Sequence, residues 1–251
     1  MAIWDKRIGV IGPTVIELIA YDFYKYAPKR TGLVGVTCNI NAWAKDEFEK
    51  ALSVVLDLSD YLASRKVDYI IHAGEPLVTS RGGKFDRELI GMIEERTGIP
   101  ATTTIRAAMD GLDLLGIRKV GIASPYPPAM NERLAGFLTD YGYEVVKHDT
   151  LNVNFKETQF VDPQAIYDFI RAYLDAAPPL DGIYMPCPQW PVSEVIDRME
   201  RDFGVPIVAG DPADFSAAFR ALGIRDVQPG YGRLMALGPA EAPSAQRRVV
   251  N

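Results

Sequence analysis

Gly98-Ile99-Pro100 runs through a helix-length segment into Leu115-Gly116-Ile117-Arg118-Lys119-Val120, and the same order then returns. Gly204-Val205-Pro206 leads in the same way to Leu222-Gly223-Ile224-Arg225-Asp226-Val227. Each copy follows an acidic helix end, Glu94-Glu95-Arg96 in one and Glu200-Arg201-Asp202 in the other. Two motifs in the same order at nearly the same separation mark an internal repeat. Around them, short apolar runs alternate with longer helical patterns. The strand candidates are Ile8–Ile11, Leu33–Thr37, Tyr69–Ala73, Val120–Ala123, Glu144–Lys147 and Gly182–Met185. Helical spacing of apolar residues marks Asp46–Ser64, Gly83–Arg96, Ala129–Tyr141, Pro163–Ala176 and Ser193–Phe203. Such alternation predicts an α/β fold with parallel sheets covered by helices on both faces. Two similar halves facing each other enclose a cleft, and such clefts are favoured ligand sites.

Composition narrows the partners. The 251 residues carry 27 Lys and Arg against 33 Asp and Glu, a net charge of −6, with no basic block, which disfavours nucleic acid. Two cysteines, Cys38 and Cys187, and two histidines, His72 and His148, leave little material for a metal site, and no C-x-x-C or H-x-x-x-H spacing occurs. Arg7-Ile8-Gly9-Val10-Ile11-Gly12 enters a strand pattern almost at once, without a signal-peptide core. No apolar run is long enough to span a bilayer. The expectation is a cytoplasmic, reduced, soluble protein, with a homo-oligomer left open. Residues 237–251, rich in Ala, Pro and Ser, read as a disordered tail.

The reactive candidate is Cys187. Ile183-Tyr184-Met185-Pro186-Cys187-Pro188-Gln189-Trp190 carries an apolar run into a loop, and a helical pattern follows from about Val192. Open α/β sheets present reactive groups beyond the carboxyl ends of their strands. A nearby helix N-terminus would favour the thiolate, which can move protons or attack carbon. The alternative is that the thiol packs as a small hydrophobe. Within the repeat, the loop after Tyr69–Ala73 corresponds to this one, so Gly74-Glu75-Pro76 faces Cys187.

At this point the chain resembles the arylmalonate decarboxylase and maleate isomerase branch of the aspartate/glutamate racemase superfamily. The resemblance is carried by Arg81-Gly82, by Gly98-Ile99-Pro100 with Thr102-Thr103-Thr104, and by Leu115 to Val120. It continues in Tyr126, Asn131-Glu132-Arg133-Leu134, Asp181-Gly182-Ile183 leading to Cys187, and Pro229-Gly230-Tyr231-Gly232-Arg233-Leu234. It implies two Rossmann-like domains, expected as residues 1–116 with 212–236 and residues 117–211, with the active site in the cleft between them and no cofactor or metal. It also implies a small carboxylic acid as substrate. Racemases and maleate isomerases of this superfamily use two cysteines. Here the first position is Gly74, as in the decarboxylase branch, where the lone thiol protonates an enediolate left by loss of carbon dioxide. Cys187 matches that thiol. The chain departs from the branch where it places hydroxyl and backbone donors for the developing dianion. Glu75, acceptor-only when ionised, and Pro76, without an N–H, stand there instead, and Pro188 removes the N–H after Cys187. Losing one such donor commonly costs about 3 kcal/mol of transition-state stabilisation.

The catalytic candidates are therefore Cys187 and Glu75, an acid/base pair acting at a carbon α to a carbonyl. A carboxylate beside a thiol in a dry cleft pushes both pKa values up. The alternative for Glu75 is an outward-turned residue capping its loop. Thr14, Gly74, Tyr126 and Gln189 are the candidate substrate-binding residues; a helix cap is the alternative for Thr14. Trp190 reads equally as cleft wall or core. His72 and Cys38 read as core, and Arg81-Gly82-Gly83-Lys84 reads as a turn, lacking the spacing of a phosphate loop. The leading functional expectation is decarboxylation, with an isomerase or racemase using Glu75 behind it and a thioester hydrolase or lyase more distant. A binding protein that has lost catalysis is the alternative from another class. Its thiol would react slowly with an alkylating agent, whereas a catalytic one would react selectively.

Overall fold

The computed structural model describes residues 3–238. The first half runs β1 (Lys6–Gly12), α1 (Glu17–Tyr26), β2 (Thr31–Thr37), α2 (Lys45–Ser64), β3 (Tyr69–His72), α3 (Glu75–Thr79), α4 (Phe85–Thr97), β4 (Ala101–Thr103) and α5 (Thr104–Leu114). The second runs β5 (Lys119–Ser124), α6 (Pro128–Asp140), β6 (Glu144–Thr150), α7 (Pro163–Asp175), β7 (Gly182–Met185), α8 (Ile196–Phe203), β8 (Ile207–Ala209), α9 (Gly210–Ala221) and α10 (Gly232–Ala236). Short 3₁₀ turns at Phe155–Phe160 and Val192–Glu194 precede α7 and α8. The expected α/β fold with parallel sheets is what the chain forms. Its two four-stranded sheets are ordered β2-β1-β3-β4 and β6-β5-β7-β8, every pair parallel.

The repeat is now explicit. Gly98 and Gly204 end α4 and α8 with left-handed backbones, φ 69° and 72°, and the edge strands β4 and β8 follow. Gly116 and Gly223, with φ 71° and 68°, turn the chain after α5 and α9. All six predicted strands form, Gly182–Met185 with the expected ends and the others with an end shifted by up to three residues. β4 and β8 escaped prediction because three residues carry no period. Tyr-Ile-Ile-His of β3 and Gly-Ile-Tyr-Met of β7 are buried throughout, as parallel strands covered on both faces require. The helix expected from about Val192 begins in the α form only at Ile196, beyond the 3₁₀ turn.

After β8 the chain crosses back. α9 packs against α5, α1 and β3, so Phe215 and Phe219 bury with Ile8, Val10, Phe23 and Ile71 of the first half. Each buried phenyl contributes roughly 1.5–3 kcal/mol. The start of α9 also backs the Cys187 loop: a Cβ on Gly210 would lie 2.9 Å from the Pro188 nitrogen and 3.1 Å from the Cys187 carbonyl carbon. On the other side, Ser193 donates to Asp22 Oδ1 at 2.7 Å and Lys25 pairs with Glu194, tying α1 to the same loop. No described helix is long and apolar enough to cross a membrane. The expected disordered tail lies, from residue 239 on, outside the described residues.

Two consequences are measurable. Gly210→Ala must displace backbone rather than a flexible side chain, and about 1–3 kcal/mol of stability is expected to be lost in urea denaturation. Asp22 is pushed up to about 6, chiefly by burial, so the folded chain holds a proton that the unfolded chain releases. Its contribution to stability falls as pH rises from the ordinary carboxylate range through about 6. Asp22→Asn is expected to raise stability at neutral pH by roughly 1–3 kcal/mol and to flatten that slope, read as Tm against pH.

Candidate active site

Gly74 and Cys187 occupy the same place in the two halves, each two residues beyond the end of its strand, β3 or β7. Both have left-handed backbones, φ 107° and 81°. For glycine this costs little; a cysteine there carries roughly 1–2 kcal/mol of backbone strain. The turn is closed by the Trp190 N–H, which donates to the Cys187 carbonyl at 3.1 Å. The strained geometry aims the thiol at the first half.

Glu75 opens α3 directly after Gly74 and is only 1% exposed. Its Oε1 accepts from the Tyr184 hydroxyl at 2.7 Å and from the Cys187 N–H at 3.2 Å. Its Oε2 accepts from the Tyr126 hydroxyl at 2.8 Å. The outward-turned alternative for Glu75 is thus excluded. Burial nonetheless outweighs these donors and holds its carboxyl above the usual range. The Cys187 thiol is raised well above a free cysteine, first by burial and then by the neighbouring Glu75 charge; the Gln189 backbone N–H and the Tyr126 hydroxyl only partly oppose this. Of the two opposed expectations, the raised thiol beside a carboxylate is what the site holds and the helix-favoured thiolate is not: α8 starts too late to help, the sulfur is desolvated, and the group is a protonated thiol. Slow alkylation at neutral pH accordingly fails to separate a catalytic thiol from a structural one.

A narrow cavity of about 30 Å³ has Cys187 in its wall. Thr14, Gly74, Tyr126, Cys187 and Gln189 are all in its wall, and both halves contribute. Glu75 stands behind the wall, bonded to two of its members. Thr14 is not a cap, since α1 is preceded by Ile16. Gln189 is 6% exposed; its Nε2 donates to the Val15 carbonyl, and its Oε1 has no partner. Trp190 does not reach the cavity and packs near Phe169 instead, because the turn after Cys187 carries it away. The aromatic wall comes from Trp43, edge-on to Tyr126 at 5.2 Å and to Phe155 at 4.5 Å. His72 is wholly buried, pushed down to about 4, and neutral. Cys38 is buried and pushed up to about 12. Gly82 and Gly83 form a left-handed turn. No group of His, Cys, Asp or Glu among the described residues is arranged to hold a metal.

Sequence reasoning missed Tyr184, Trp43 and two acids at the start of α9. Asp211 and Asp214 are buried and held well above the carboxylate range, first by burial and, for both, by the Glu75 charge as well. Asp214 accepts from the Thr104 hydroxyl at 2.8 Å. A Gly-Asp-Pro start reads only as a helix N-terminus, and nothing local to Asp211 or Asp214 signals that the helix turns inward.

This arrangement has relatives. The profile of a family described as arylmalonate decarboxylase matches residues 26–235. An arylmalonate decarboxylase of Bordetella bronchiseptica is 31% identical over 229 residues, covering 90% of this chain and 95% of that one. A maleate isomerase of Pseudomonas putida is 22% identical over 183 residues, covering 69% of this chain and 72% of the other. A crystal structure of arylmalonate decarboxylase, liganded and with one glycine exchanged for cysteine and one cysteine for serine, matches with a TM-score of 0.86 at 29% identity. It covers 91% of this chain and 98% of that one. Match, identity and coverage together make this chain a member of the arylmalonate decarboxylase family, in the same racemase-like superfamily as the maleate isomerases.

Proposed function

We propose that this protein is a cofactor-independent enzyme that forms an enolate-like intermediate from a small carboxylic acid and protonates it through Cys187. The observation that carries the reading is a protonated thiol in the wall of a buried cavity, beside Tyr126 and with its own N–H on Glu75. In a decarboxylation, the carbon–carbon bond breaks, carbon dioxide leaves, and the electron pair stays on the α-carbon. The Cys187 S–H proton passes to that carbon, and the thiolate left behind recovers a proton from water. A thiol suits the step because burial keeps the proton on sulfur until a stronger base forms beside it. One thiol delivers to one face, so the product is a single enantiomer.

Glu75 favours a second reading, cis–trans isomerisation or racemisation. Its carboxylate stands in the half opposite the thiol and shares the Tyr126 hydroxyl, which hydrogen-bonds its Oε2 at 2.8 Å and also acts on the sulfur. A raised carboxyl that takes a proton while the thiol gives one supplies the base that a missing second cysteine leaves wanting.

Solvent-deuterium incorporation at the substrate α-carbon separates these. Cys187→Ser is expected to lose roughly 10²–10⁴-fold in rate. Glu75→Gln is expected to lose as much if Glu75 is the second proton carrier, and about tenfold or less if decarboxylation is the reaction. Unchanged exchange in both removes Cys187 and Glu75 from the chemistry, and no exchange even in the unaltered protein leaves a binding protein. Tyr184→Phe adds a positioning test. Without that donor the Glu75 carboxyl rises further, so any rate that needs it ionised fails at higher pH. The acid limb of the pH–rate profile is expected to move up by about one unit, while an unmoved limb removes Glu75 from the chemistry.

A further inference from the structure

Three hydrogen-bond donors of the second half converge on one point beside the Cys187 sulfur: the Tyr126 hydroxyl, the Tyr184 hydroxyl and the Cys187 N–H. Such convergence in a desolvated place is an anion subsite, because each donor would be left unpaired without a charged acceptor. The chain supplies the acceptor itself. Glu75 uses both carboxylate oxygens on these donors, and the cavity with Cys187 in its wall is about 30 Å³, one water's share of volume.

The cavity wall offers the opposite chemistry. None of the described residues lining it is Lys, Arg or His. Two residues of the wall hold a buried polar atom without a partner: the Gln189 Oε1, an acceptor whose amide nitrogen is already held by the Val15 carbonyl, and the Trp43 Nε1, a donor. A buried amide oxygen without a partner is satisfied by an N–H or O–H, and a second carboxylate brought there would meet a lone pair instead. Glu75 already fills the anion site, and an unpartnered acceptor with an unpartnered donor matches an amide, which offers both an N–H and a carbonyl, better than a second carboxylate, which offers acceptors alone.

We propose that Glu75 is a built-in carboxylate filling the anion subsite beside Cys187, so that the substrate presents no second carboxylate there but a neutral acyl group with a hydrogen-bond donor, an amide N–H or a hydroxyl, for Gln189. This rests on the functional reading above in taking Cys187 as the reacting group. It makes Glu75 the residue that separates this chain from an enzyme for malonate-type diacids.

Equilibrium binding tests it, with turnover silenced by Cys187→Ser. Phenylmalonate and its monoamide are titrated calorimetrically into that protein and into the same protein carrying Glu75→Ser. The monoamide is expected to bind the first at least about tenfold more tightly than phenylmalonate, and Glu75→Ser is expected to reverse the order by releasing three donors. Phenylmalonate binding as tightly as the amide before Glu75 is changed overturns the proposal, as does a folded Glu75→Ser protein with no gain for phenylmalonate. Should Glu75→Ser not fold, the isosteric Glu75→Gln carries the test. Removing the charge is expected to tighten phenylmalonate at least about tenfold, and a folded Glu75→Gln protein with no gain for phenylmalonate overturns the idea. These are dissociation constants, so a failure here is distinct from a failure of the deuterium exchange that tests the reaction itself.

Discussion

Everything near the thiol depends on one buried carboxylate. Glu75 comes from the first half, and its three donors, Tyr126, Tyr184 and the Cys187 N–H, all come from the second. A carboxylate at this depth without partners would cost several kcal/mol, so the first half cannot bury it alone. The two phenols and the strained turn gain their partner only when the halves meet. The same contact that completes the fold therefore sets the electrostatics of the site, and the raised thiol is partly its product.

That coupling extends through α9. The helix belongs in sequence to the second half, yet its phenylalanines fill the first half's core and its first residue touches the Cys187 loop backbone. Asp211 and Asp214 are carried in with it, adding acidic groups on the far side of Glu75. Four buried acids, Asp22, Glu75, Asp211 and Asp214, are thus packed where the halves join. Each is held above its ordinary range mainly by burial. A chain selected for stability alone would replace some of these with apolar residues; their presence fits a site where proton affinity matters more than the last kcal/mol.

How much of this was legible follows from the reach of each signal. The repeat around Gly98 and Gly204 was readable because both its motifs are local, and it delivers the paired sheets. Cys187 and Glu75 were readable because the repeat aligns their loops. β4 and β8 were not, since a three-residue edge strand shows no alternation. Tyr184 looked like any aromatic in a buried strand; its hydroxyl matters only through a partner 109 positions away. Trp43, in a loop of the first half, and Phe155, opening a 3₁₀ turn of the second, announce nothing until Trp43 packs edge-on against both Phe155 and Tyr126. The raised thiol was legible through the paired loops, which set Glu75 beside it, whereas the thiolate suggested by the Cys187 segment alone was not formed, because the helix that would favour it starts only at Ile196.

The narrowness of the cavity has a kinetic corollary. Trp43, Tyr126 and Phe155 stand edge to face over a space that holds little more than one water, so no aryl or branched acid enters the conformation described. Admission requires those rings to part, and the observed affinity is the intrinsic one reduced by the fraction of molecules standing open. Once the rings close again, a bound molecule is shielded from bulk solvent, and the exchangeable hydrogens left beside it are those of the wall, the Cys187 thiol among them. In the proposed reaction, handedness then reflects confinement as much as acidity: the enclosure decides which hydrogens are within reach before any competition from water begins.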